Sequence, residues 1–291
     1  MAKGITGIIG GTGLGDALKA DIESVKTVDV DTPFGKPSSK ICTGKIADKQ
    51  IAFINRHGDG HRYSPSELPY AANIFALKKL GAKAIIASGA VGSLREHIHP
   101  KDVVLVDQFI DKTYKRRNTF FEGYGAVHCE FSEPVCGRLR NALLKTSEKL
   151  DINVHPAGTY VCMEGPQFST KAESKMHRNW GGDLIGMTAI PEAKLAKEAQ
   201  MCYALVALVS DYDCWREPEQ IKDKQTLLSE IIGNLQTASK NAITLIKALL
   251  KSETELVSDD CGCRNSLELA VWTDKEQINS EKHKELNILF D

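Results

Sequence analysis

The run Leu205-Val206-Ala207-Leu208-Val209, followed at once by Ser210-Asp211-Tyr212-Asp213, constrains this chain more than any other segment. Five apolar residues without alternation suit a strand covered on both faces. Such strands belong to sheets with helices on either side. Two carboxylates then stand at the carboxyl end of the strand, which is where open α/β sheets bind ligands. Strand alternation directs Asp211 and Asp213 to one side.

Other segments fit the same architecture. Strand-like runs lie at 5–9, 40–46, 49–55, 83–88 and 103–106, and again at 159–163 and 184–185. Helical spacing is present at 66–80, at 135–150 and most clearly at about 224–250. There Leu228, Ile231, Ile232, Leu235, Ala238, Ala242, Leu245 and Leu249 form one stripe. The expected fold is α/β: a single domain over 1–250 with a central mixed twisted sheet flanked by helices. Residues 251–291 turn polar and charged, and read as a C-terminal extension docked on the domain or on a neighbouring subunit.

Net charge is −1, from 37 basic and 38 acidic side chains, which argues against a nucleic-acid surface. No apolar run reaches the roughly 18 residues of a spanning helix. The opening Met1-Ala2-Lys3-Gly4 lacks a signal-peptide pattern. A cytoplasmic protein with a small-molecule ligand, binding neither membrane nor nucleic acid, is the expectation. Of eight cysteines, six are scattered through apolar or mixed segments and read as buried thiols. Cys261-Gly262-Cys263 stands apart. No spacing makes paired zinc half-sites, so no metal site is expected; a disulfide there stays open.

Several loops carry chemistry. Gly10-Gly11-Thr12-Gly13 after the first strand exposes N–H groups that can hold an anion, and Thr12 adds a hydroxyl. A plain tight turn is the competing reading. The glycines at 10, 11, 13 and 15 do not match the dinucleotide register. Asn55-Arg56-His57-Gly58 offers a guanidinium and an imidazole at a strand end, suited to an oxyanion; His61 and Arg62 add donors, and a surface basic loop is the alternative. Ser88-Gly89-Ala90-Val91-Gly92-Ser93 lets a ligand approach the backbone closely. Met163-Glu164-Gly165-Pro166-Gln167-Phe168-Ser169 brings an aromatic ring, a carboxylate and a hydroxyl; core packing of Phe168 is the alternative. Asp211 and Asp213 could bind a metal, run acid–base chemistry or read donors on a base, unless they are solvated loop acids.

In order, these motifs are similar to those of one family. Gly7-Ile8-Ile9-Gly10-Gly11-Thr12-Gly13-Leu14, Asp31-Thr32-Pro33-Phe34-Gly35-Lys36-Pro37-Ser38 and Arg56-His57-Gly58 come first. Gly92-Ser93-Leu94-Arg95-Glu96, Asp107-Gln108-Phe109-Ile110-Asp111, Glu164-Gly165-Pro166 with Phe168-Ser169, and Ser210-Asp211-Tyr212-Asp213-Cys214-Trp215 follow. Over about 5–250 the chain resembles the 5′-methylthioadenosine phosphorylases of the trimeric purine nucleoside phosphorylase family. The resemblance implies attack of inorganic phosphate on C1′ of a purine nucleoside, with phosphate as co-substrate and no cofactor. It implies phosphate contacts from Thr12, Arg56, His57, Ala90 and Thr188, with Met187 against the ribose. Phe168 and Ser169 would line the purine pocket, with His61 near the substrate. Leu227 and Leu228 would form an apolar 5′ pocket, closed by His128 of an adjacent subunit in a trimer or hexamer. Asp211 would donate to purine N7 and Asp213 accept from a 6-amino group, making methylthioadenosine the expected substrate and implying purine and methionine salvage. Asp at both positions argues against 6-oxopurine nucleosides and methylthioinosine. A dinucleotide-binding oxidoreductase and a non-catalytic scaffold are the other readings. The chain departs from the family at Gly89, where a hydroxyl residue or Asn is usual, at Lys224, where relatives are apolar, and at Asp59-Gly60.

Overall fold

A computed structural model describes residues 4–11, 14–216 and 223–290. The chain begins with β1 (Ile5–Gly10), α1 (Gly15–Lys19), β2 (Glu23–Val28), β3 (Ile41–Ile46) and β4 (Lys49–Asn55). Then come α2 (Tyr70–Lys79), the long β5 (Ala82–Ser93), β6 (Val103–Leu105), β7 (Gln108–Lys112) and α3 (Gly137–Ser147). β8 (Val154–His155), β9 (Thr159–Met163), α4 (Lys171–Asn179), β10 (Leu184–Gly186) and α5 (Ala189–Glu198) follow. β11 (Cys202–Tyr212), α6 (Lys224–Lys251) and α7 (Ser280–Leu286) complete the set.

These strands form one mixed sheet, ordered β2-β3-β4-β1-β5-β10-β9-β7, with β11 branching from β5 and carrying β6 and then β8. β1, β4, β5 and β11 run parallel, so their carboxyl ends emerge on one edge. The expected mixed α/β architecture is the observed one. The branch arises because β5 is long: β11 pairs along nearly all of it, while β10 pairs antiparallel with its last residues, Gly92 and Ser93.

Two apolar clusters cover the two faces. One gathers Ile74 and Leu77 of α2, Leu195 of α5, and Leu286 and Leu289 near the chain end. The other gathers Leu18 of α1, Leu143 of α3, and Leu245 and Leu249 of α6. Ala204, Val206 and Leu208 face one cluster, Leu205, Ala207 and Val209 the other. That two-sided burial is why β11 has no polar alternation.

The extension lies on the body of the chain. Ser266 Oγ donates to Lys197 O at 2.6 Å, and Gln200 Nε2 donates to Leu289 O at 2.9 Å. Val271 pairs with Val127 in an antiparallel bridge. Among the described residues no helix is long and apolar enough to cross a membrane.

Candidate active site

The site is built at the carboxyl edge of the parallel strands. β1 ends at Gly10, whose carbonyl accepts from Arg56 N at 2.9 Å, so the first glycine turn and the Arg56-His57 loop are zipped together. Gly11 N–H points to Ser88 Oγ at 3.4 Å. A Cβ on Gly11 would lie 2.8 Å from Ser88 O and 2.9 Å from Arg56 Nη1, so only glycine admits this approach. Thr12 and Gly13, the centre of the expected anion loop, lie outside the described residues.

Arg56 is fully buried. Its Nε and Nη2 donate to Glu192 Oε2 and Oε1, both at 2.8 Å, and Nη1 donates to Ser88 O at 2.5 Å. Tyr203 OH also donates to Glu192 Oε1, at 2.9 Å. Burial alone would weaken the guanidinium's hold on its proton; Glu192 reverses this and raises its pKa above the ordinary value. Three of five guanidinium N–H groups are thereby used.

His57 Nδ1 lies 3.0 Å from Tyr63 O. A carbonyl only accepts, so Nδ1 carries the hydrogen and Nε2 presents a lone pair. Burial pushes its pKa down to about 4, and neighbouring Arg56 adds to the fall. His57 is thus a neutral acceptor at neutral pH, suited to a hydroxyl such as the P–OH of a phosphate monoanion. The exposed His61 stacks on it, with ring centroids 4.0 Å apart.

β10 runs back along β5, with Leu184 opposite Ser93 and Ile185 opposite Gly92. The chain after β10 therefore passes beside Gly89 and Ala90. Thr188 Oγ1 lies 3.5 Å from where a Cβ on Gly89 would stand. Thr188 N donates to Tyr160 OH at 3.3 Å, which fixes the turn into α5.

Arg116 and Glu164 hold the loops after β9 and β10 together. Arg116 Nε meets Glu164 Oε1 at 3.2 Å, with both side chains buried. Arg116 Nη1 also donates to Met187 O at 2.5 Å and Ile190 O at 2.6 Å, and Nη2 to Glu164 O at 2.6 Å. Ser66 Oγ donates to Glu164 as well. One guanidinium thus joins the loop after β9 to the turn after β10. Gly165, at φ +73°, passes so close to Met187 that a Cβ would lie 2.7 Å from its Sδ.

Beyond this network the lining opens. Phe168 is 86% exposed, so it is not core packing. Ser169 O accepts from Cys214 Sγ at 3.2 Å, which ties the Phe168-Ser169 loop to the end of β11. Leu227 and Leu228, at the start of α6, are 48% and 57% exposed. His128 is exposed; its N–H donates to Ala270 O at 2.8 Å and its ring meets Trp272 edge-on.

The two carboxylates lie close enough for the charge of Asp213 to act on Asp211, with Asp213 just beyond the end of β11. β11 bulges between Val209 and Asp211, leaving Ser210 extra and setting Asp211 opposite Gly92. Ser210 Oγ donates to Asp211 Oδ1 at 2.5 Å. Burial pushes the Asp211 pKa up to about 6; the Ser210 hydrogen bond opposes this and the charge of Asp213 assists it. Asp213 N donates to Ser93 O at 3.0 Å. Asp213 Oδ2 is buried and finds no donor among the described residues. An unpaired buried carboxylate oxygen is costly, so it marks a place where a ligand donor belongs.

Residue reasoning missed Glu192, Tyr160, Arg116 and the role of Glu164. Glu192 had one available signal, an acid set directly among the apolar or small residues Ala189, Ile190, Pro191 and Ala193 at the start of a helix. Arg116 sits in the basic run Lys115-Arg116-Arg117, which resembles a solvated patch.

The model of the phosphorylase superfamily matches residues 6–251. The S-methyl-5′-thioadenosine phosphorylase of Gloeobacter violaceus is 42% identical over 94% of this chain and 90% of its own length. That of Geobacter sulfurreducens is 40% identical over 98% of each. Among solved structures, a methylthioadenosine phosphorylase from an Antarctic soil metagenomic library superposes with a TM-score of 0.86, at 39% identity over 98% of both chains. The Schistosoma mansoni methylthioadenosine phosphorylase, in complex with adenine, superposes with a TM-score of 0.78, at 34% identity over 85% of this chain and 91% of that one. These relatives do not favour the oxidoreductase, scaffold or 6-oxopurine readings.

Proposed function

The chain belongs to the phosphorylase superfamily, and on that premise we propose that it cleaves 5′-methylthioadenosine with inorganic phosphate, giving adenine and 5-methylthioribose 1-phosphate. The observation that carries the reading is the carboxylate pair. Among the described residues Asp213 Oδ2 has no donor, and the exocyclic 6-amino group of adenine is one. Asp211, with a pKa raised to about 6, keeps a minor protonated fraction at neutrality and can hand its proton to N7. The departing purine then leaves as a neutral base while a phosphate oxygen bonds to C1′ and the C1′–N9 bond breaks. Arg56 and the hydroxyl of Thr188 hold the phosphate, with Thr12 and the backbone at Ala90 completing its ring of donors. His57 accepts from its hydroxyl. Met187 lies against the ribose, with Phe168, Ser169 and His61 around base and sugar.

The 5′ group falls against Leu227 and Leu228. Their exposure in a single chain supports assembly as a trimer in which His128 of a neighbour closes the pocket. Purine and methionine salvage is the metabolic place such products imply, and the cytoplasm the compartment.

The test is free-base release from methylthioadenosine, adenosine, methylthioinosine and inosine, each with and without phosphate. Phosphate-dependent release from the 6-amino nucleosides is expected. Faster release of hypoxanthine from inosine would overturn the base assignment. A fully active monomer in light scattering would overturn the shared pocket.

A further inference from the structure

Four cysteines far apart in sequence meet outside the active site. Cys136 precedes α3, Cys202 begins β11, and Cys261 and Cys263 flank Gly262 in the extension. Their Sγ atoms all lie within 4.8 Å of one another. Cys136 Sγ is 3.7 Å from Cys261 Sγ, and Cys202 Sγ is 3.5 Å from it. Sulfurs placed about 2.3 Å from a tetrahedral zinc ion stand roughly 3.8 Å apart along each edge. Sulfurs in a disulfide stand about 2.05 Å apart. The observed separations match the first figure and exceed the second by more than an ångström.

The geometry points to a structural tetrathiolate site for a soft divalent ion, zinc, formed by Cys136, Cys202, Cys261 and Cys263. Spacing alone excludes this reading, because two ligands are single residues brought in from remote elements and the other two are a C-x-C pair. Folding supplies what spacing does not. The surroundings suit the double negative charge of zinc with four thiolates. Arg138 Nη2 approaches Cys202 Sγ at 3.8 Å, and the same guanidinium is fixed on Glu255 O and Leu256 O, both at 2.8 Å. Cys136 stands at the N-terminus of α3, where backbone N–H groups favour a thiolate. Two ligands are buried and two half-buried, leaving an entry path from the extension side.

Such a site would clamp the extension to the sheet. It ties residues 261 and 263 to β11 and α3, and the chain runs on through buried Leu267 and Ala270 to the carbonyl that holds His128. The clamp therefore supports the loop that carries His128.

The full-length chain, produced with zinc in the medium and purified under thiol reductant, should hold about one zinc per chain by elemental mass spectrometry. Cys202→Ser and Cys263→Ser should each lower zinc content at least about tenfold, while Cys42→Ser, outside the cluster, should keep it. Should these variants fail to fold, the wild-type protein serves alone. Mercurial titration should release the zinc as four thiols react, and cobalt exchanged into the site should show thiolate charge-transfer and tetrahedral d–d bands. Chelation should also lower the thermal midpoint. Reduced wild-type protein with less than about 0.1 zinc per chain and no cobalt uptake would overturn the assignment. So would an as-purified mass short by four hydrogens, the mark of two disulfides.

Discussion

Arg56 and Glu192 face each other through two parallel hydrogen bonds of 2.8 Å, with neither side chain exposed. A loop guanidinium that sequence alone presents as free is thus fixed from below by a carboxylate 136 residues on. Its position is set by that pair rather than by any ligand. Glu192→Gln leaves a buried guanidinium without its counter-charge. The expected cost is roughly 3–5 kcal/mol of stability, because the surviving charge stays desolvated. Chemical denaturation measures the loss, and phosphate KM should rise in whatever fraction remains folded. A loss under about 1 kcal/mol would show that the pair is dispensable.

Asp211 gives the pH dependence. Protonated below about pH 6 and ionised above it, it donates only in the first form. The free-enzyme kcat/KM should therefore fall as pH rises through that value, and Asp211→Asn should remove this limb while any limb from phosphate ionisation persists. Asp211→Asn should also cost 6-amino substrates more than 6-oxo substrates; equal losses would count against base reading. Stability follows the same sign. The folded pKa lies above the ordinary 3.8, so the contribution of Asp211 is fully present below that value and lost as pH climbs past about 6.

Most of the sheet was legible in the sequence because buried strands leave continuous apolar runs. β9 was found to the residue, and β5 and β11 were found short: the glycines and serine that end β5 and the Ser210-Asp211-Tyr212 end of β11 do not read as strand, and the mixed Cys202-Tyr203-Ala204 start of β11 was missed as well. β2 was missed because it is an edge strand with almost every side chain exposed. α4 buries only Ser174 and His177, so it has no stripe, while α5 is buried nearly all round and reads as no stripe either. Loops that touch ligand announce themselves by residue type. Their supports, Glu192, Tyr160 and Arg116, do not, because their partners are remote in sequence. The cysteine cluster was hidden for the same reason.

Arg116 tests the nucleoside side. Arg116→Lys keeps a charge but not the fork that reaches Glu164, Met187 and Ile190 together. A loss of about 1–3 kcal/mol in stability and a higher nucleoside KM are expected, read by thermal unfolding and initial rates. An unchanged nucleoside KM would detach the network from substrate positioning.

Gly89 offers a gain. Among the described residues a Cβ there meets only the Thr188 hydroxyl, at 3.5 Å. Gly89→Ser should fold normally and add a donor beside Thr188, lowering phosphate KM by roughly threefold to tenfold. A raised KM would place the phosphate elsewhere.

Lys224 opens α6 one turn before Leu227 and Leu228. Lys224→Leu should raise the preference for methylthioadenosine over adenosine by roughly threefold to tenfold, since it adds apolar surface near the 5′ group. Ratios of kcat/KM for the two nucleosides measure it, and an unchanged ratio would remove Lys224 from the pocket.

Phosphorolysis of a 6-amino purine nucleoside is tested most directly by phosphorus NMR of the products. Incubated with methylthioadenosine and inorganic phosphate, the protein should convert the phosphate signal into that of a sugar 1-phosphate, in step with the adenine released. Adenine release that continues without phosphate, yielding free methylthioribose, or no release at all, would contradict it.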